Sequence, residues 1–315
     1  MNLFKKLFPL VALFLAACGA SAEELAPDNR LDVVTTFYPM YDFTQKIVGD
    51  NGKVTLLLGA GQETHSYEPT PKDMAAIAEA DVFVYNSKYM EIWVPDVLEN
   101  LVDSDVKIID ASEGIPFFEE KIEEGSHDNE GEDQTEGKED NHAIDPHIWL
   151  DPVYAKQMVE TISTGIQMVD KGNTTSYQAN TKEYVGKLED LDQEFQTAFQ
   201  DAESRYFIVQ HAAFGYLARR YGLEEVAIST LTSNQEVSPA KLAEVGKFIN
   251  ENSVEVIYYQ DSANNDLAKT LANETGIELG SLSAIEGVTI ENQEAGMDYV
   301  MIMRDNLEAL KQSIN

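Results

Sequence analysis

The sequence predicts an α/β protein of two lobes, each built on a parallel sheet, joined by one long rigid helix. Three observations carry this. Short β-branched or aromatic runs alternate with longer helical patterns from Leu31 onward, as in βα units. One amphipathic stretch near the middle is longer than a crossover within a small domain needs. The chain has 315 residues, 43% of them hydrophobic and 9% aromatic, enough for about two domains with sizeable cores.

The elements follow in chain order. Met1-Asn2-Leu3-Phe4-Lys5-Lys6 is a basic start, and Leu7 to Ala17 is an apolar run too short to cross a bilayer as a stable helix. Together, residues 1–17 read as a secretory signal. Leu15-Ala16-Ala17-Cys18 resembles the bacterial lipobox, in which the cysteine becomes the lipidated first residue, and Cys18 is the only cysteine in the chain. Ordinary cleavage near Ala22 is the alternative. Residues 18–30 are small, polar and acidic and read as a tether. Strands are expected at Leu31 to Phe37, Val54 to Leu58, Val82 to Tyr85 and Val106 to Ile109. Thr70, Pro71 and Asp73 occupy N-cap, N1 and N3 positions of a helix running to Glu79.

Glu119 to Asp140 holds eleven acids and two lysines with almost nothing apolar, a solvated loop inserted within a domain. Tyr177, Tyr184, Leu188, Leu191, Phe195 and Phe199 then recur at sums of three and four, predicting one helix from about Thr174 to Ala202. It reads as a strut between two lobes, with a long crossover inside one larger domain as the alternative. Further strands are expected at Tyr206 to Gln210, Val226 to Ser229 and Val254 to Tyr259, with helices at Ala212 to Tyr221 and, opened by Ser238-Pro239, Lys241 to Asn250. The expected boundaries are 31–170 for the N-terminal lobe with its acidic loop at 119–141, 171–203 for the linking helix and 204–315 for the C-terminal lobe.

Charge and cysteine count exclude whole classes of function. With 22 Lys and Arg against 56 Asp and Glu, the net charge of −34 excludes a general affinity for nucleic acid. One cysteine allows no intrachain disulfide, cysteine-based zinc cluster or iron–sulfur site, so any metal must be held by nitrogen and oxygen.

The five histidines are His65, His127, His142, His147 and His211. His65 follows the second expected strand and precedes a helix. His211 follows the strand beginning at Tyr206, so both sit where parallel sheets bind ligands. His147 lies in Asp145-Pro146-His147-Ile148-Trp149-Leu150-Asp151-Pro152, between two Asp-Pro pairs of rigid non-helical backbone. Three imidazoles with a carboxylate or water would make a zinc site. The carboxylate could come from Tyr259-Gln260-Asp261 or from Ser283-Ala284-Ile285-Glu286-Gly287, and spacing alone does not choose.

These segments carry a resemblance. His65-Ser66-Tyr67-Glu68-Pro69-Thr70-Pro71, the Asp145 to Pro152 motif, Gln210-His211-Ala212-Ala213-Phe214, Thr35-Thr36-Phe37-Tyr38-Pro39 and the ending from Glu286-Gly287 through Asp298-Tyr299 to Asn306-Leu307 resemble the cluster A-I metal-binding lipoproteins of ABC transporters, in their zinc-uptake branch (ZnuA/AdcA type). The resemblance implies two α/β lobes joined by a rigid helix, with the metal in the cleft between them. It implies His65, His147 and His211 as ligands of Zn²⁺ and Glu286 as the fourth. Asp261 is left open as a carboxylate that orients a ligating histidine, a ligand in place of Glu286, or a polar loop residue, the first being favoured. His127 and His142 would be accessory zinc contacts or incidental histidines of a solvated acidic loop, which is far poorer in histidine than in many relatives. The implied protein is a lipid-anchored, extracytoplasmic, monomeric carrier that passes zinc to a membrane permease, and not an enzyme. Zinc binding should fail as pH falls through about 6.5, where free histidines protonate. A manganese-binding relative and a surface adhesin are the alternatives. A zinc hydrolase is disfavoured, because no His-Glu-x-x-His helix or Gly-x-Ser-x-Gly elbow occurs.

Overall fold

Alternation of short apolar strands with helices produces two parallel sheets, one on each side of the central helix in sequence. In the computed structural model, residues 30–121, 142–231, 237–260 and 265–314 are described. Strand β1 (Leu31–Thr35) leads through helix α1 (Tyr38–Val48) and a 3₁₀ turn (Gly49–Asn51) to β2 (Gly52–Leu56). A long loop then reaches α2 (Pro71–Glu79), followed by β3 (Val82–Tyr85), α3 (Val94–Asn100) and β4 (Lys107–Asp110). These strands form a parallel sheet in the order β2-β1-β3-β4. Next come the short strands β5 (Glu119–Lys121) and β6 (His142–Ile144), a 3₁₀ turn (Ile148–Leu150) and α4 (Pro152–Val169). Another 3₁₀ turn (Lys171–Asn173) leads into α5 (Thr174–Phe199).

Beyond α5 the pattern repeats with β7 (Tyr206–His211), α6 (Gly215–Tyr221), β8 (Glu224–Ser229), α7 (Pro239–Asn252), β9 (Val256–Tyr259), α8 (Asp266–Thr275) and β10 (Glu278–Ser281). Helices α9 (Ile290–Glu294) and α10 (Tyr299–Leu310) close the chain. The second sheet is also parallel, in the order β10-β9-β7-β8. Its strand order reverses beside β7, so the carboxyl end of β7, where His211 sits, is a topological switch point.

The 26-residue α5 spans about 39 Å at ~1.5 Å per residue. Its buried residues are Tyr177, Tyr184, Leu188, Leu191, Phe195 and Phe199, the stripe expected from periodicity. It packs on α1 and α4 before it in sequence and on α6 and α10 after it. One apolar core therefore runs from Leu31 to Ile314 through both sheets, and residues from Leu31 onward pack as one unit. Phe195 is fully buried and stacks on Tyr221 at 5.1 Å. We expect Phe195→Ala to destabilise the protein by about 3–5 kcal/mol, read from chemical denaturation, because the cavity opens inside this shared core.

Several sequence expectations are corrected. Strand β1 ends at Thr35, not Phe37, because Phe37 becomes the N-cap of α1 with Pro39 in its first turn. Residues 119–121 are not loop: they pair antiparallel with His142–Ile144. Helix α6 starts at Gly215 and not Ala212, since the backbone N–H groups of Ala213 and Phe214 donate to the Glu225 carboxylate at 3.0 and 3.1 Å. Strand β10 was not anticipated, because Glu-Leu-Gly-Ser is no apolar run and the strand lies at a sheet edge, exposed along most of its length. The signal segment with Cys18, most of the acidic loop with His127, and Asp261 lie outside the described residues.

Candidate metal centre

Four segments deliver one side chain each to a single point. The loop carrying His65 is fixed at its far end by a reciprocal cap: Thr70 Oγ1 accepts from the Asp73 N–H while Asp73 Oδ2 accepts from the Thr70 N–H at 2.8 Å. Tyr67 adds a 2.9 Å bond to the same carboxylate. His211 is the last residue of β7, and its Nδ1 lies 3.0 Å from the Thr230 carbonyl, which turns Nε2 inward.

His147 is fully buried and the most constrained. Asp145 Oδ1 accepts from both its backbone N–H (2.9 Å) and its ring Nδ1 (2.8 Å), fixing the proton on Nδ1 and leaving Nε2 as the donor to a metal. The Asp145-Pro146 segment is itself held on both sides, since Tyr216 donates to the Asp145 carbonyl at 2.9 Å and Asn86 to that of Pro146 at 3.2 Å. Removing this orienting carboxylate as Asp145→Asn should weaken zinc binding about 10- to 100-fold, measured by competition with a chelating dye.

Glu286 comes from the segment after β10. Asn306 accepts from the Ser283 N–H at 2.8 Å and donates to its carbonyl at 2.7 Å. The Trp149 indole donates to the Ala284 carbonyl at 2.8 Å, so the motif that presents His147 also positions the glutamate.

The four converging atoms, three Nε2 and Glu286 Oε1, lie within 4.8 Å of one another and could hold a metal ion. The imidazole Nε2 of His147 is 3.4 Å from that of His65 and 3.3 Å from that of His211. Glu286 Oε1 is 3.5, 3.4 and 3.3 Å from His65, His147 and His211. Zinc with ligands at ~2.0–2.1 Å in tetrahedral geometry has ligand–ligand edges of about 3.3–3.4 Å. Four of the six edges thus fall in this range and a fifth, His65 to Glu286, is 0.1 Å longer. Glu286 Oε1 is buried without a well-formed hydrogen bond, the three imidazole nitrogens lying 3.3–3.5 Å away, and a cation between them would satisfy it.

Electrostatics agree. Burial works against a charged His147, but Asp145 on one nitrogen and Glu286 beside the other outweigh it and lift the ring to about 9. Burial would raise Glu286, yet the three imidazoles facing it hold the carboxyl well below its ordinary value. A stable anion faced by three imidazole nitrogens is a receptor for a divalent cation.

The structure therefore brings together His65, His147, His211 and Glu286. His142 lies on β6, and its side chain is outside what is described. The supporting roles of Asp145, Trp149, Asn306 and the Thr230 carbonyl were not foreseen. Only Asp145 left a sequence signal, an acid two residues before a histidine across a rigid proline.

Comparison with known proteins gives a consistent result. Residues 33–313 match the family described as zinc-uptake complex component A, periplasmic. The high-affinity zinc uptake system protein ZnuA of Bacillus subtilis is 45% identical over 320 residues, covering 99% of each chain. The zinc-binding lipoprotein AdcA of Streptococcus pneumoniae is 42% identical over 96% of this chain, which spans 59% of that longer protein. The crystal structure of the Zn(II)-bound ZnuA-like domain of that AdcA superposes with a TM-score of 0.76 at 38% identity, covering 90% of this chain and 98% of that one. With a family match over nearly the whole folded region and a near-full-length relative at this identity, the chain belongs to the ZnuA family of zinc-uptake components.

Proposed function

We propose that this protein captures Zn²⁺ outside the cytoplasm at His65, His147, His211 and Glu286 and delivers it to the permease of an ABC transporter. The cluster of three imidazole nitrogens and one carboxylate oxygen, with five of its six separations at 3.3–3.5 Å, is the observation that carries this reading. The family is one of solute-binding transport proteins. Four protein ligands close a tetrahedral shell and leave no position for an activated water, the arrangement of a carrier and not of a hydrolytic zinc enzyme. Three imidazoles favour zinc over manganese, which prefers carboxylate and water oxygens.

Capture proceeds by exchange of a proton for metal. Asp145 keeps the Nδ1 proton of His147 in place, so the proton that leaves on binding is the one on Nε2, the atom facing the site. Glu286 neutralises one of the two positive charges of the ion. His65 and His147 belong to the 31–170 lobe, whereas His211 and Glu286 belong to the 204–315 lobe, with 171–203 as the link. Binding thus ties the halves together. The shared core along α5 limits the change to the ligand-bearing loops, and a permease would recognise those loops in their ordered state. Lipid on Cys18 would tether a monomer beside that permease.

Equilibrium competition between Zn²⁺ and Mn²⁺ on metal-free protein tests the reading. Zinc is expected to win by several orders of magnitude, with a fluorescence change from Trp149, whose ring lies 5.2 Å from that of His147. Preference for Mn²⁺, or zinc affinity unchanged in His211→Ala, would overturn it.

A further inference from the structure

Ile285, immediately before Glu286, has a backbone φ of +57°. Left-handed backbone is unfavourable for any residue with a Cβ and most so for a β-branched one, so this conformation persists only where its surroundings enforce it. Ties on both sides of the residue do so. Upstream, Asn306 grips both backbone groups of Ser283, and Trp149 holds the Ala284 carbonyl. Ser283 Oγ accepts from the Ile285 N–H at 3.2 Å. Downstream, Thr64, next to His65, donates to the Glu286 carbonyl at 3.4 Å, a long contact and the weakest of the set. The Ile285 side chain is 1% exposed in the apolar core, so it cannot relax by swinging into water. The strained peptide is thus also the one that sets Glu286 Oε1 at ligand distance from all three imidazoles.

Resting on the reading of Glu286 as a zinc ligand, we propose that Ile285 is a positioning residue whose strained backbone loads the Glu286 arm, so that Glu286 is the ligand released first when zinc leaves. The strain belongs to the ligand-ready conformation and is relieved when φ returns to negative values, which swings the carboxylate away from the histidines. The zinc–carboxylate bond would add to these protein ties in holding the arm in place. Because the upstream ties are short and the downstream one is long, the arm pivots about Ile285 toward its Glu286 side. Release is therefore faster, and affinity lower, than four unstrained ligands would give, a useful property in a carrier that must surrender its ion.

A pair of substitutions isolates the backbone. Ile285→Gly and Ile285→Ala lose nearly the same buried side chain, but only glycine adopts positive φ without penalty. The glycine variant is expected to bind zinc about fivefold more tightly than the alanine variant and to release it correspondingly more slowly in stopped-flow chelation. Their metal-free melting temperatures should not show the same ordering, and the affinity difference should vanish when both are combined with Glu286→Ala. Equal zinc affinities, a glycine advantage confined to metal-free stability, or a difference that survives Glu286→Ala would each overturn the proposal. Hydrogen exchange on the unsubstituted protein gives a test independent of how the variants fold. Amides of 285–288 should gain at least tenfold protection on zinc loading, and unchanged protection would overturn the proposal. Zinc binding by the unsubstituted protein is measured alongside, so that its absence would overturn the zinc reading itself, whereas equal variants with an intact parent overturn only the role of Ile285.

Discussion

Replacing His147 with alanine should weaken zinc binding about 10²- to 10³-fold at pH 7.5, the largest loss from any single substitution considered. Structural zinc sites of four protein ligands are worth roughly 10–16 kcal/mol at neutral pH, so an even share is about 2.5–4 kcal/mol for each ligand. His147 should fall at the upper end, because it is the fully buried imidazole of the cluster and already has its outer nitrogen committed to Asp145. Its removal also leaves the Asp145 carboxylate, itself buried, without its ring partner. Titration of metal-free variant and parent against a dye of known zinc affinity checks the prediction. A loss below tenfold would mean that His147 is not a ligand.

The second large effect is that pH should move metal-free stability and zinc affinity in opposite directions. Burial pushes the Glu91 carboxyl up to about 7 against the bonds it accepts from Thr36, Asn86 and Ser87, and pushes Asp42 up to about 6. His147, lifted to about 9, also prefers its proton in the folded state. All three bind protons more tightly folded than unfolded. Their stabilisation is therefore fully present below the ordinary values of the free groups, and it is lost as pH rises through about 6, 7 and 9 in turn. At ~1.4 kcal/mol per tenfold change in proton affinity, each is worth roughly 3 kcal/mol.

Metal-free protein should accordingly melt at progressively higher temperature as pH is lowered from 9 toward 5. Below about 4 the trend reverses, as carboxylates of depressed pKa such as Glu286, Asp298 and Asp73 are forced to protonate. Zinc must expel the Nε2 proton of His147, so between about pH 9 and 6.5 affinity should fall about tenfold per pH unit on acidification. The extra stabilisation conferred by zinc shrinks with it. Thermal melts with and without zinc across this range test both slopes. A metal-free melting temperature that climbs from pH 5 to 9 would contradict the burial argument for Glu91 and Asp42.

Much of the site was legible because its residues carry local signals. Histidines are scarce, so three of them at strand ends or between Asp-Pro pairs stood out, and the resemblance placed Glu286 beside them. The stripe on α5 was read residue for residue, since a helix buried along one face must repeat near 3.6 residues. β10 was invisible because an edge strand buries little and needs no apolar run. The Asp145 contact could be guessed from its spacing, but the Thr230 carbonyl, the Trp149 tie and the grip of Asn306 on Ser283 leave no trace in residue type.

The sequence by itself determined which chemistry was available: nitrogen and oxygen ligands only, three candidate imidazoles, parallel α/β units and a long central helix. Those follow from composition and periodicity, which are local. Only the tertiary structure decided that one oxygen and three nitrogens from segments up to 221 positions apart in sequence meet within 4.8 Å, and that a strained peptide at Ile285 sets one of them there. That convergence depends on the two sheets sharing a core along α5, and the distance between side chains on different sheets is fixed by packing, not by spacing along the chain.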